Sequence, residues 1–360
     1  MGTFTPEQTV FTLSMMANLG TGQIGTQDQI ENYLDTALKA GLAQLQTELG
    51  TWEVVWGPAV YESLSSVRAD NAMYVARDTS NPGRYVVAIA ATNAYSAYDW
   101  IIEDAFVARQ VAWEYGTAPG LTPKVSDGTH IGLSKLQQLR PAPVFPGATT
   151  TLDEFFKSLP TGPLDITTAG HSLGGALAPV TALWLSDTRS QWDPDGRATI
   201  SCLASAGPTP GNQDLVTYYE ASPLGTKTNC IRNAIDVVPH AWAAADLQMI
   251  PNFYLPLIQP DLTIKGLVEA ARLSSLKGNY TQIPASKVLP GVPDSSQFDA
   301  GASVLHNFAK QMAFQHVDVY FPLLGIGQLS NLLADARANA QTGLEAKLTA
   351  LKQKLLRRIL

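Results

Sequence analysis

The chain has 360 residues, 45% of them hydrophobic and 15% charged, with a formal net charge of −7. That length and apolar content can bury a large core, in one elaborated α/β domain or two small ones. The acidic balance argues against nucleic acid and against electrostatic docking on an anionic bilayer, and no apolar run approaches membrane-spanning length.

Residues 1–20 lack the basic start and compact apolar core of a secretory signal, which leaves the compartment undetermined. Residues 7–19 read as a short helix. Over 26–49, Ile30, Leu34, Leu38, Leu42, Leu45 and Leu49 recur at helical spacing behind Thr26, a good N-cap type. Residues 71–77 and 84–91 read as strands of a hairpin joined at Asn81-Pro82-Gly83. A helix is expected at 99–104, a strand at 106–113, a Pro/Gly-rich loop at 116–128, and helices near 130–139 and 151–158. A strand and helix fill 164–188, followed by a strand at 198–204, a helix at 213–220 and a strand at 228–233. Strands alternating with helices predict an α/β fold with a mostly parallel central sheet, helices on both faces, and extra N- and C-terminal helices. We expect one domain over 1–360, comprising a helical region at 1–70, a core at 71–322 with an insert at 241–305, and an amphipathic helix at 328–360. Cys202 and Cys230 lie in apolar segments and read as buried free thiols.

The segment richest in chemistry is Gly170-His171-Ser172-Leu173-Gly174, a Gly-x-Ser-x-Gly pattern. An apolar strand leads into it and an apolar helix leads out. A serine on so tight a turn sits at a strained backbone position, and both flanking glycines avoid steric clash. The plain alternative is a glycine-rich structural turn; the strand and helix on either side favour a nucleophile elbow. The N–H of Leu173 then opens a helix, well placed for a developing oxyanion.

A serine hydroxyl needs a base, and the base needs a partner that fixes its tautomer. On this kind of turn the chain order is serine, acid, histidine. His130 and His171 precede Ser172, leaving His240, His306 and His316. His306 reads as a flank residue of a helix, and His240 follows the acid candidate too closely. His316, in a segment suited to a loop, is favoured as the base. Asp236 is the acid candidate because it follows the strand ending near residue 233; its alternative role is to cap a loop. Asp187, Asp193 and Asp195 fall in a polar connection and read as solvated. A second oxyanion donor is expected after the strand at 84–91, where Thr92 is the candidate, with simple turn-capping as the alternative.

These blocks together resemble the class 3 (fungal-type) lipase family of α/β-hydrolases, across roughly residues 70–320. Gly170 to Gly175 is similar to the family's elbow, and Gly207-Pro208-Thr209-Pro210-Gly211-Asn212 to its Gly-x-Pro-x-x-Gly-Asn turn. The segment 233–239 resembles the one carrying the catalytic aspartate, and 316–320 the one carrying the histidine. Thr129-His130-Ile131-Gly132 resembles a non-catalytic family motif. The resemblance implies hydrolysis of carboxylic esters of acylglycerols or related lipids, without metal or organic cofactor. It also implies a lid after the oxyanion strand, where Tyr95, Tyr98, Trp100 and Ile101 would face acyl chains or else pack in the core. One departure is Ala90-Ala91-Thr92 where the family carries Arg-Gly-Thr or Arg-Gly-Ser. The other is the long interval between acid and base.

Leu344, Leu348, Leu351, Leu355 and Ile359 share a helical face opposite five basic residues. Such a helix packs on its own body or a neighbour's as an oligomer contact, or lies on a membrane or lipid-droplet surface. Triacylglycerol hydrolysis is the leading activity. Short-chain or feruloyl-type esterase, phospholipase A1, acyl transfer to an alcohol and a catalytically silent interaction module are the competing ones.

Overall fold

The computed structural model describes residues 2–61, 71–90 and 109–334. Helix α1 (Pro6–Met16) starts at a reciprocal Thr5–Gln8 capping box, and α2 (Gln27–Gln44) at a second one between Thr26 and Gln29. The α2 face carrying Ile30, Leu34 and Leu38 is buried. Trp52–Tyr61 then forms strand β1, a correction to the helical region expected over 1–70. Gly57-Pro58 interrupts its period, and the strand absorbs both with register shifts on either side of Trp56 where it pairs with β2.

Strands β2 (Asn71–Asp78) and β3 (Arg84–Ile89) form the expected hairpin. Short strands β4 (Gln110–Ala112) and β5 (Lys124–Ser126) come next, the latter inside the expected loop. Helices α3 (Asp127–Gln138) and α4 (Leu152–Ser158) lead to β6 (Leu164–His171), α5 (Leu173–Asp187) and β7 (Ala198–Ser205). Strand β8 (Gly211–Asn212), helix α6 (Gln213–Ala221) and strand β9 (Thr228–Asn233) follow. The insert contributes α7 (Leu262–Ser275), β10 (Tyr280–Thr281) and β11 (Lys287–Leu289), and α8 (Val304–Ala313) follows it.

The main sheet runs β1-β2-β3-β6-β7-β9-β11, with every pairing from β3 onward parallel. The insert therefore supplies the last strand of the sheet. Four short antiparallel strands, β10-β8-β5-β4, form a second sheet that the sequence did not announce. Alternation along β3 divides the core. Val87 and Ile89 join the cluster of Leu177 and Leu183 from α5, while Val86 and Ala88 join that of Phe11 and Leu13 from α1. A third cluster, built around Trp242, Tyr254 and Phe308, fills the insert. Cys202 and Cys230 are free thiols, Cys202 buried and Cys230 partly so. No helix among the described residues is long and apolar enough to cross a membrane.

Asp193 corrects another expectation. Only 2% exposed, it accepts from the main-chain N–H groups of Arg197 and Ala198 and from the guanidiniums of Arg189 and Arg197. Burial works against its charge, but these donors outweigh it and hold the carboxyl below the ordinary range. Asp193→Ala strands those donors and is expected to cost about 3 kcal/mol in urea unfolding. A loss below ~1 kcal/mol would show that water replaces the carboxylate. Asp187 binds Trp113 and Tyr218, and Asp195 is exposed as expected.

Candidate functional site

Ser172 stands between β6 and α5 with φ 60° and ψ −126°, a left-sided conformation that L-residues occupy at a cost. Its N–H donates to the main-chain oxygen of Ser205, and its own oxygen accepts from Ala176 N–H. The turn is therefore held at both ends. A β-carbon on Gly170 would strike the backbone of Gly174, and one on Gly174 would strike the Ile89 carbonyl. Both glycines are thus demanded by close backbone approach. The Leu173 N–H lies in the first turn of α5, where the helix itself offers no acceptor.

Three of the expected side chains meet. His316 Nε2 lies 2.7 Å from Ser172 Oγ, and His316 Nδ1 lies 2.9 and 3.1 Å from the two oxygens of Asp236. A carboxylate only accepts, so the proton sits on Nδ1 and Nε2 is free to take the serine hydroxyl's. Ser172, His316 and Asp236 are all at most 2% exposed. Such an arrangement can turn an alcohol into a nucleophile where water is excluded.

Asp236 projects from the turn after β9. The Val238 N–H donates to its Oδ1 at 3.0 Å and the Tyr320 hydroxyl to its Oδ2 at 2.8 Å. Tyr320 oxygen in turn accepts from Asn233 N–H at 2.9 Å. His316 does not lie in a loop, as its sequence implied, but in a π-helical turn, Phe314–Asp318, continuing from α8. Such widened turns recur at functional sites. The Asn233 side chain ties that turn down by donating to the Gln315 main-chain and side-chain oxygens at 3.0 and 2.8 Å.

The other histidines fall elsewhere. His240 donates through Nδ1 to the Asp236 main-chain oxygen and packs against Phe253. His306 and His130 are half-buried on α8 and α3. Thr92 and the lid candidates Tyr95, Tyr98, Trp100 and Ile101 lie outside the described residues, as does 335–360, most of the expected C-terminal helix. Sequence reasoning missed Tyr320, although its spacing one turn after His316 was a usable signal. It also set His171 aside.

Val237, next to Asp236, and Met312, one turn before His316, line an apolar chamber. Ile264, Leu267 and Val268 of α7 and Phe308 of α8 complete much of its wall.

Burial first, and then the neighbouring His316, push the His171 imidazole well below the usual histidine range. The folded ring stays neutral, whereas the unfolded chain takes a proton there below about pH 6.5. The unfolded state then binds the additional proton. Stability present at neutral pH is accordingly lost as pH falls below that value, by up to about 1.4 kcal/mol per pH unit for this group. His171→Gln is expected to flatten urea stability between roughly pH 6.5 and 5 by that amount; an unchanged slope would assign the dependence to other groups.

The sequence matches the family Lipase (class 3) over residues 117–245. M37 lipase is similar at 31% identity with a TM-score of 0.80, over 93% of this chain and 99% of its own. More distant are lipase II from Rhizopus niveus, at 20% identity and TM-score 0.42 over 65% of this chain and 76% of its own, and the Rhizomucor miehei triacylglyceride lipase. The latter has 18% identity and TM-score 0.44 over 66% and 74%. No curated protein matches the chain. The likeness to M37 lipase runs through nearly the whole of both chains. On that ground the chain belongs to the class 3 lipase family and is a carboxylic ester hydrolase of the α/β-hydrolase fold.

Proposed function

We propose that the protein hydrolyses lipid esters, triacylglycerols first among them, with Ser172 as nucleophile, His316 as base and Asp236 as its orienting acid. The supporting observation is the unbroken hydrogen-bonded line from Ser172 Oγ through His316 to Asp236. Ser172 Oγ attacks the ester carbonyl carbon as His316 Nε2 takes its proton. The C–O bond to the alcohol then breaks, with that proton passing to the leaving oxygen. Water, deprotonated by the same nitrogen, attacks the acyl-serine, releases the fatty acid and restores the hydroxyl. Asp236 keeps the imidazole in the required tautomer and stabilises its cation. Leu173 N–H and the N–H of Thr92 receive the oxyanion; losing one such donor typically costs ~10²–10³ in turnover.

The predominantly apolar lining of the chamber beside Val237 and Met312 supports an alkyl chain over a polar substituent. Because Ser172 is 2% exposed, an opening step precedes acylation.

The test is labelling with a fluorophosphonate, followed by mapping of the adduct and a chain-length profile on p-nitrophenyl esters and emulsified triacylglycerol. A single adduct on Ser172 and a preference for long acyl chains in emulsion are expected. An adduct elsewhere removes the nucleophile assignment. Activity confined to short, dissolved esters removes the triacylglycerol reading and leaves an esterase.

A further inference from the structure

We infer that His171, inside the elbow and next to the nucleophile, is a positioning residue that fixes the main chain of His316. The inference rests on the triad reading above. Strand β6 ends at His171, and the parallel register sets it beside Ser205, the last residue of β7. Its Nε2 lies 2.8 Å from the main-chain oxygen of His316. A carbonyl only accepts, so Nε2 carries the proton and donates. Nδ1 is then a lone pair, and the Ser205 hydroxyl, 3.1 Å away, donates to it. Ser205 Oγ also lies 3.2 Å from the Gly170 oxygen, a competing acceptor that a neutral His171 outbids only while Nδ1 is unprotonated.

The result is a relay running beneath the reacting groups: the His316 carbonyl sets the tautomer of His171, Ser205 steadies the far side of the ring by donating to Nδ1, and His171 grips His316. Phe11 and Tyr320 meet the His171 ring edge-on, with centroids 6.2 and 5.1 Å away, so it has no room to turn.

This grip does something Asp236 cannot. The carboxylate fixes one end of the imidazole ring, which leaves the ring free to swing about that contact and carry Nε2 off the serine. A second anchor on the backbone of the same residue removes that freedom. Within the π-helical turn, Asn233 holds Gln315, and the His171 bond adds a tie at the next residue, His316 itself. Misplacement of a reacting group by about 1 Å can cost ~10² in rate. Because the bond goes to a main-chain oxygen and not to substrate, its loss should lower kcat and leave KM alone.

The experiment measures kcat and KM on a soluble p-nitrophenyl ester for the full chain, with competent sites counted by fluorophosphonate titration. Misfolding lowers the number of labelled sites; mispositioning lowers turnover per labelled site. His171→Leu is expected to reduce turnover per site by about tenfold to a hundredfold, with KM within about twofold of the parent. His171→Gln, whose amide can donate to the same carbonyl and accept from Ser205, is expected to recover most of that loss. Wild-type turnover per site in His171→Leu overturns the inference, as does a His171→Gln enzyme as slow as the leucine variant. Should His171→Leu not fold, Ser205→Ala decides: it removes the hydroxyl that donates to Nδ1 and steadies the ring, and is expected to slow turnover per site by up to about tenfold, short of the ~10² of a full misplacement. An unimpaired Ser205→Ala enzyme overturns the inference. Failure of the triad reading itself looks different, because Ser172 would then not be the labelled residue.

Discussion

Ser172→Ala is expected to lower kcat on an activated ester by roughly 10⁶-fold while leaving the fold intact. Alanine at this position keeps the same backbone, with φ at 60°, and the β-carbon already present in serine fits. What goes is the oxygen that lies 2.7 Å from His316 Nε2. Without it no acyl-enzyme forms, and His316 can only direct water at an ester held by the oxyanion donors. That residual route typically leaves ~10³–10⁴ over the uncatalysed rate. KM for a long-chain ester should change little, since the chamber walls are untouched. Retention of more than about 1% of parental turnover would remove Ser172 from the mechanism, and loss of the folded state would show that the elbow depends on the hydroxyl for its structure.

Asp236→Asn tests the other end of the line and should cost roughly 10⁴ in kcat. The size of the effect follows from the hydrogen-bond accounting. Val238 N–H donates to Oδ1, so an asparagine keeps its oxygen there and presents its NH₂ where Oδ2 stood. That NH₂ faces His316 Nδ1 and obliges this nitrogen to become an acceptor. The ring proton moves to Nε2, which then cannot take the serine's. Tyr320 suffers as well, because its hydroxyl donates to the same position and would meet another donor. An unsatisfied buried pair of this kind costs about 1–3 kcal/mol. Adding Tyr320→Phe should recover part of the stability and none of the turnover. An Asp236→Asn enzyme within tenfold of the parent would show that the tautomer is fixed by some other group.

The parts of the site visible in the sequence are those encoded locally. The elbow declares itself because strand, turn and helix are contiguous, and because Gly170 and Gly174 answer close backbone contacts a few residues away or on the adjacent strand. The order of Ser172, Asp236 and His316 along the chain did the rest. What stayed hidden needs long-range geometry. Two- and three-residue strands carry little readable period, so of the β10-β8-β5-β4 sheet only β4 fell within an expected strand, at 106–113. Gly57 and Pro58 are residue types that interrupt strands, yet β1 passes through them by shifting register, with paired residues on β2 before and after them. Asp193 read as solvated because its donors come from a turn that closes only in the folded chain. The bonds that tie down the π-helical turn and the His171 contact share one trait. Partners 82 and 145 positions away supply them, and nothing in the local pattern reveals either.

Phe11 of α1 packs on His171, Tyr320 and Phe321, and the Gln8 side chain donates to the Leu324 oxygen at 2.8 Å across a separation of 316 residues. During synthesis α1 leaves the ribosome well before the last part of its seat, residues 320–324, exists. At 5–20 residues per second the wait is on the order of 15–60 s. For that interval Phe11 lacks its Tyr320 and Phe321 contacts, and the rest of the α1 face can rest on the earlier strands that carry Tyr74, Val86, Ala88 and Ala169. The C-terminal cover of α1 therefore arrives last, with the same segment that carries His316 to Ser172, so closing this end of the core and completing the hydrogen-bonded line are one event.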